Sequence, residues 1–330
     1  MKFRKILASV LSCALVATSL MAVTGCDSAN SGTDAKEDGT YTVGICQLAQ
    51  HPALDAATEG FKRALTEKLG DKVEFNEQNA SGDSTTCSTI INQFVSSDVD
   101  LIMANATPAV QAAVIGTSDI PILGTSVTEY GIALGIKDFT GKTGINISGT
   151  SDLAPLDQQA AMFKELLPEV KKVGIVYCSG EANSKYQSEV ITEELAKLGV
   201  ETAEYTFADS NDIAQVVTKA CEEVDALYVP TDNTAAENAD IIDDIADPAG
   251  KPIIAGEEGI CKKCGIAALS ISYDKIGYMT GLMAYDILVN GKDPAEMEIQ
   301  ADEEPEYKYD AARCEKYGIT VSDKYSAIEG

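Results

Sequence analysis

From residue 41 onward, short apolar or β-branched runs alternate with longer amphipathic stretches. The short runs cover 41–46, 73–77, 101–104 and 121–124, and the amphipathic stretches 54–69, 85–96 and 108–115. A short continuous apolar run fits a strand buried on both faces, and a 3.6-residue apolar period fits a helix packed along one. The order β-α-β-α predicts a parallel sheet covered by helices. The pattern then restarts, with strands expected at 173–177, 201–205, 226–229 and 252–255 and helices at 153–166, 184–198, 213–221 and 235–245. Two similar α/β units in tandem result, joined near 146–151. One more strand (266–272) and one more helix (276–288, stopped by Asn290-Gly291) follow. A single βα unit is too small to stand alone and must add to an existing sheet. One lobe is therefore completed by distant sequence, and several strands connect the lobes around a cleft. The expected boundaries are 41–148 plus 257–298 for the first lobe and 149–256 plus 299–330 for the second.

Ahead of this pattern, Lys2, Arg4 and Lys5 precede an apolar run over 6–23 that ends in Val23-Thr24-Gly25-Cys26. A basic start, an apolar core and small residues before a cysteine are the parts of a bacterial lipoprotein signal. Residues 1–25 are expected to be removed and Cys26 to be acylated. At roughly 0.8 kcal/mol per buried methylene, two or three acyl chains hold a domain on the outer face of a membrane. An uncleaved anchor would leave the domain on the same side. Residues 26–40 contain no apolar cluster and read as a flexible tether. No later apolar run reaches the roughly 20 residues that a bilayer span needs. The 290 residues from Tyr41 suit two lobes better than one core.

The chain has 25 basic and 52 acidic residues. Loss of the signal leaves 22 against 52, a formal net charge of −30. Such a surface repels phosphate backbones and anionic lipid, which argues against nucleic acid as a partner.

In open α/β sheets ligands bind at the carboxyl ends of strands, and the residues there are mostly polar. Gln50, His51 and Pro52 follow the first expected strand, Asn105 to Pro108 the third, and Thr125, Ser126, Val127 and Thr128 the fourth. In the second unit these places hold Ser179, Glu181, Asn183 and Ser184, then Thr231, Asp232 and Asn233, then Gly256 and Glu257. Thr107-Pro108 reads as a hydroxyl N-cap followed by proline at the first helical position, leaving N–H groups and the positive helix end toward the cleft. That arrangement suits a carboxylate. Ser151-Asp152 is expected to open the next helix in the same way. Asp232 and Glu257, carboxylates at strand ends, suit a ligand ammonium, with plain helix capping as the competing role.

Enzyme chemistry has little to work with. His51 is the only histidine, so any triad or zinc hydrolysis would centre on it. Neither Gly-x-Ser-x-Gly, nor a Walker loop, nor His-Glu-x-x-His occurs. Beyond Cys13 and Cys26 seven cysteines remain, and Cys46, Cys178 and Cys221 sit in or beside apolar segments as small buried hydrophobes. Cys261-Lys262-Lys263-Cys264 lacks the second pair or the histidines of a structural zinc site and reads as a local disulfide or two thiols. No cofactor or metal is expected.

Several motifs occur in order. They are His51-Pro52-Ala53-Leu54-Asp55 with Gly60-Phe61, Ala104-Asn105-Ala106-Thr107-Pro108, Asn146-Ile147-Ser148-Gly149-Thr150-Ser151-Asp152, Val173-Gly174-Ile175-Val176-Tyr177 with Glu181 and Asn183-Ser184, and Tyr228-Val229-Pro230-Thr231-Asp232-Asn233. Together they resemble the tryptophan-uptake-type substrate-binding proteins of ABC transporters, collinearly from about residue 41 to 325. The resemblance implies a periplasmic-binding-protein type I fold, with two Rossmann-like α/β lobes and parallel sheets joined by a three-stranded hinge. It implies capture of a small ligand, often an aromatic amino acid, without chemistry, and delivery to a membrane permease powered by a cytoplasmic ATPase. It further implies Thr107, Ser126 and Thr128 on the ligand carboxylate, Asp232 and Glu257 on its ammonium, and Ser151, Asn183 and Ser184 closing from the second lobe. Gln50, His51 and Asn233, at strand ends, complete the candidate set. Glu129 stands where the family pattern leads one to expect an aspartate, and 261–264 departs from its usual small residues. Tyr130, Tyr186, Tyr273 and Tyr278 are candidates to stack on an aromatic ligand, with Tyr278 better read as packing. A branched-chain amino acid, a purine or another small metabolite stays open as ligand. A sensory receptor of the same fold and a surface enzyme using His51 or a cysteine are the competing functions.

Overall fold

The computed structural model describes residues 39–328; the signal, Cys26 and the tether up to residue 38 lie outside them. The first sheet is built from β1 (Tyr41–Gln47), α1 (Pro52–Leu69), β2 (Val73–Asn79), α2 (Ser84–Ser96), β3 (Leu101–Asn105), α3 (Thr107–Gly116), β4 (Ile122–Val127), α4 (Tyr130–Leu134) and β5 (Ile147–Ser151). β3 and β4 are buried at every residue, as a parallel sheet covered on both faces requires. Phe61, Leu65, Met283 and Ile287 pack together in one core of this lobe, and Ile90, Ile91, Phe94 and Val110 in another. Segment 146–151, expected as a joint, supplies the fifth strand.

The second sheet takes α5 (Leu156–Leu166), β6 (Lys172–Cys178), α6 (Ala182–Lys197), β7 (Glu201–Phe207), α7 (Ile213–Glu223), β8 (Ala226–Val229), α8 (Asn233–Glu237), α9 (Ala239–Ala246), β9 (Ile253–Ala255), α10 (Glu258–Cys264) and β10 (Ala267–Ser270). The chain continues through α11 (Tyr273–Asn290), β11 (Gln300–Ala301), β12 (Glu306–Tyr309), α12 (Ala311–Lys316) and β13 (Tyr325–Ala327). Strand order is β11-β5-β4-β3-β1-β2 in the first sheet and β13-β12-β10-β9-β8-β6-β7 in the second. Every pairing between these strands is parallel except β10 with β12, and an isolated antiparallel bridge joins Lys142 to Glu298.

The lobe boundaries need correction. Residues 257–272 stay with the second lobe, because β10 pairs in parallel with β9 and antiparallel with β12. The return to the first lobe begins at α11, and Gln300–Ala301 extends the first sheet by pairing with β5. The helix expected over 235–245 is two helices, broken at Asn238.

α11 returns to the first lobe and packs along α1. A Cβ on Gly277 would stand 2.0 Å from the Ala57 carbonyl oxygen, and one on Gly60 2.3 Å from that of Asp274. The two backbones touch, which fixes the helix pair and the residues at their N-terminal ends, His51 and Tyr273.

The chain passes between the lobes three times, at 152–155, 271–272 and 302–305. The crossings are tied to one another. Tyr273 donates to Asp152 Oδ2 at 2.9 Å, the Ser272 N–H donates to Asp302 Oδ2 at 3.3 Å, and Lys275 Nζ reaches Asp302 Oδ1 at 2.5 Å. All seven described cysteines are buried free thiols, Cys261 and Cys264 included.

Candidate functional site

The ends of β4, β5, β6, β8 and β9 and the N-termini of α1 and α11 meet in one cavity between the lobes. Its walls are His51, Leu54, Ser126, Thr128, Asp152, Asn183, Thr231, Asp232, Asn233, Ala236, Glu257, Ile260 and Tyr273. The free volume is about 10 Å³, the room of a single water. None of the lining residues is a lysine or an arginine.

From the first lobe, β4 delivers Ser126 with φ at 55°, in the left-handed region that serine rarely adopts. The pairing of β4 with β5 shifts register between Gly124 and Val127, which accommodates this turn. The Ser126 hydroxyl is buried and has no hydrogen-bond partner. Two residues on, Thr128 Oγ1 lies 3.5 Å from Thr231 Oγ1 across the cleft. His51, preceding α1, places Nε2 3.4 Å from Asn233 Oδ1 of the second lobe, while its Nδ1 is buried without a partner. Asp152, on the first crossing, accepts from Tyr273 through Oδ2, and its Oδ1 has no partner. Burial pushes this carboxyl up to about 6, against the opposing hydrogen bond from Tyr273.

The second lobe answers with groups that are mostly occupied. Asp232 Oδ1 caps α8 by accepting from the Ala235 N–H at 2.7 Å, and Oδ2 accepts from the Cys178 N–H at 2.8 Å and the Ser184 hydroxyl at 2.6 Å. Burial, and then the charge of Glu181, push Asp232 up to about 8. Glu257 caps α10, its two oxygens accepting from Gly259 and Ile260 at 2.5 Å each, and burial pushes it up to about 7. Asn183 donates through Nδ2 to Glu181 at 3.1 Å and to the Thr231 carbonyl at 2.9 Å, leaving a buried Oδ1 without a partner.

Several sequence expectations change here. Asp232 and Glu257 reach the cavity wall, yet their oxygens hold helix N-termini, and the carboxylate with an open oxygen is that of Asp152. Ser151 does not cap the next helix, which begins at Leu156 after Pro155; its hydroxyl donates to the Thr128 carbonyl at 2.8 Å. Thr107 is the first residue of α3 rather than its cap, a place taken by Ala106 at φ 91°, and Thr107 is buried outside the cavity. Ser184 is buried against Asp232, and Gln50 is exposed outside the cavity. Among the four tyrosines only Tyr273 lines the cavity; Tyr130 donates to the Thr150 carbonyl in the core, and Tyr278 donates to Glu67. Leu54, Ala236 and Ile260, the apolar wall, carried no sequence signal distinct from ordinary core. Asp152 stands at a strand end, where its sequence context predicts part of a cap.

A buried polar atom without a partner costs about 1–3 kcal/mol, and proteins keep few. Five side chains among the described residues carry one, and those of His51, Ser126, Asp152 and Asn183 line this single cavity. The fifth is on Asn105, at the end of β3.

A family model described as ABC transporter substrate binding protein matches residues 42–329. A tyrosine-binding protein of Clostridioides difficile (strain R20291) is 36% identical over 315 residues, 92% of this chain and 90% of that one. Among solved structures, an ABC domain from Streptococcus pneumonia in complex with L-Trp superposes with a TM-score of 0.84 at 29% identity, over 88% of this chain and 99% of that one. A substrate binding protein with adhesive properties from Clostridium difficile, in a ligand-free, open form, superposes with a TM-score of 0.67 at 35% identity, again over 88% and 99%. The complexed relative is the better match in shape despite its lower identity, in keeping with the contacts made here between the lobes. Its fold is that of the type I periplasmic binding proteins, and binding rather than catalysis is its activity: the chain belongs to the family of ABC transporter substrate-binding proteins.

Proposed function

We propose that this solute receptor captures an aromatic amino acid between its lobes and, anchored through an acylated Cys26, hands it to the permease of an uptake transporter. The observation that carries the reading is the set of buried, unpartnered polar atoms in one cavity. A zwitterion supplies what they lack. The ligand ammonium is placed on Asp152 Oδ1 and Asn183 Oδ1, its carboxylate on the hydroxyls of Ser126 and Thr128, and its ring against Leu54, Ile260 and Tyr273. The tyrosine-binding and L-Trp-bound relatives support an aromatic side chain. Because the cavity has room for one water, admission of such a ligand requires the lobes to part about the three crossings, and contacts to both lobes then favour a closed form wider than this one.

Calorimetric titration of residues 40–330 with tyrosine, tryptophan, phenylalanine, leucine and hypoxanthine tests this. Binding of an aromatic amino acid, with tyramine and 3-(4-hydroxyphenyl)propionate both far weaker, is the expected result. Preference for hypoxanthine, or indifference to loss of the amine, would overturn it. Cys26→Ser is expected to move the protein from the membrane fraction to the soluble one.

A further inference from the structure

Glu181 does not line the cavity, yet it sits behind two residues that do, Asn183 and Asn233. Its carboxylate accepts from the Asn233 N–H (3.0 Å), Asn233 Nδ2 (2.6 Å), the Thr234 N–H and hydroxyl (2.9 Å each) and Asn183 Nδ2 (3.1 Å). A carboxylate oxygen accepts and does not donate, so each amide is held with its NH₂ toward Glu181. For Asn183 that leaves Oδ1 as the unpaired atom in the cavity wall. For Asn233 it leaves Oδ1 toward His51 Nε2. An amide oxygen needs a donor, so Nε2 carries the hydrogen, and Nδ1, buried and unpaired, carries the lone pair. Burial holds the imidazole pKa below its ordinary value and so keeps the ring neutral, against the Asn233 hydrogen bond and the charges of Glu181 and Asp55.

We propose that Glu181 is a positioning residue that sets the polarity of the cleft, holding Asn183 directly, and His51 through Asn233, with an acceptor atom open toward the ligand. With Asp152 Oδ1 these make three acceptors, the complement of an ammonium with three N–H groups. The ligand part of this inference rests on the amino-acid reading above. The arrangement also couples the lobes, since the relay from Glu181 to His51 passes from the second lobe to the first and is complete only when they meet.

The single histidine makes the test direct. In protein labelled with ¹⁵N-histidine, measured with and without saturating tyrosine, the two ring nitrogens of the closed form are expected to report one tautomer, with the hydrogen on Nε2 and the lone pair on Nδ1. Glu181→Gln supplies one acceptor oxygen in place of two and brings an NH₂ of its own. It is expected to yield mixed tautomers, to weaken tyrosine binding about tenfold, and to change the affinity for 3-(4-hydroxyphenyl)propionate far less. An Nδ1–H tautomer in the unmodified protein, an unchanged tautomer in the variant, or equal losses for both ligands would overturn the proposal. Should Glu181→Gln not fold, Asn233→Ala cuts the same relay and is expected to release the tautomer. If no amino acid binds the unmodified protein, the amino-acid reading fails, and the tautomer measurements still decide the role of Glu181.

Discussion

Asp152 holds a fully buried carboxyl with one oxygen bonded to Tyr273 and the other open, and burial raises its pKa to about 6. A raised carboxyl binds its proton more tightly in the folded state. The stability this contributes is complete below the unfolded value near 4 and is lost as pH rises through 6. Glu257 at about 7 and Asp232 at about 8 act in the same direction and extend the window upward. The ligand-free domain is therefore expected to gain stability as pH falls from 8 toward 4. Asp247 and Asp274, held low chiefly by hydrogen bonds from Lys316 and Arg63, oppose this only at lower pH still. Asp152→Asn is expected to stabilise the ligand-free domain at pH 8 by on the order of 2 kcal/mol, the gain closing by pH 4, while amino-acid affinity falls at least tenfold. Thermal unfolding at several pH values, paired with titration calorimetry, checks both. Ser126→Ala removes an unpartnered hydroxyl, so affinity is expected to drop by about 1 kcal/mol with no loss of stability. Of the polar residues at strand ends, His51, Ser126, Thr128, Asn183 and Asn233 line the cavity. Position in the sequence does not rank Asp152 above Asp232 and Glu257, because a cap and a ligand contact ask for the same residue type at the same place. Only the partner count of each oxygen separates them.

At the level of elements, the central strands β1, β3, β4, β6, β8 and β9 were legible because they are covered on both faces and write continuous apolar runs into the sequence, whereas β5 reads as a joint and β12 and β13 carry no such run. α4, α10 and α12 were not, since five to seven residues hold too few apolar positions to show a period. β11 is two residues long and is defined only by its pairing with β5. The contact of α1 with α11 was equally hidden, because a glycine at a helix crossing looks like any other until the opposing backbone is known. There the neighbour of a new Cβ would be a backbone carbonyl, which cannot swing aside. Gly277→Ala is expected to lower stability by about 3 kcal/mol or more, read from chemical denaturation. It should weaken ligand binding as well, since His51 and Tyr273 ride on the two helices that would be forced apart.

Across the whole molecule, direct hydrogen bonds between the cleft faces are long, at 3.4 Å for His51 with Asn233 and 3.5 Å for Thr128 with Thr231. Bonds of that length are weak, and a ligand that touches both faces is expected to strengthen the closure. Small-angle scattering is expected to show a smaller radius of gyration with a saturating amino-acid ligand than without it; equal radii would mean that the lobes stay shut unaided. The interleaving of the lobes has a further consequence, in time rather than in space. The core under the first sheet needs Met283 and Ile287 of α11, and the second sheet needs Glu306–Tyr309, so neither lobe can finish until synthesis is nearly over. A chain ending at residue 272 is expected to unfold without a cooperative transition for its first lobe. At about 5–20 residues per second, the ribosome takes on the order of ten seconds or more to travel from β1 to α11. Through that interval neither lobe is complete, and a chain that works beyond the cytoplasm is expected to gain from folding late, since an unfinished fold is the easier one to export.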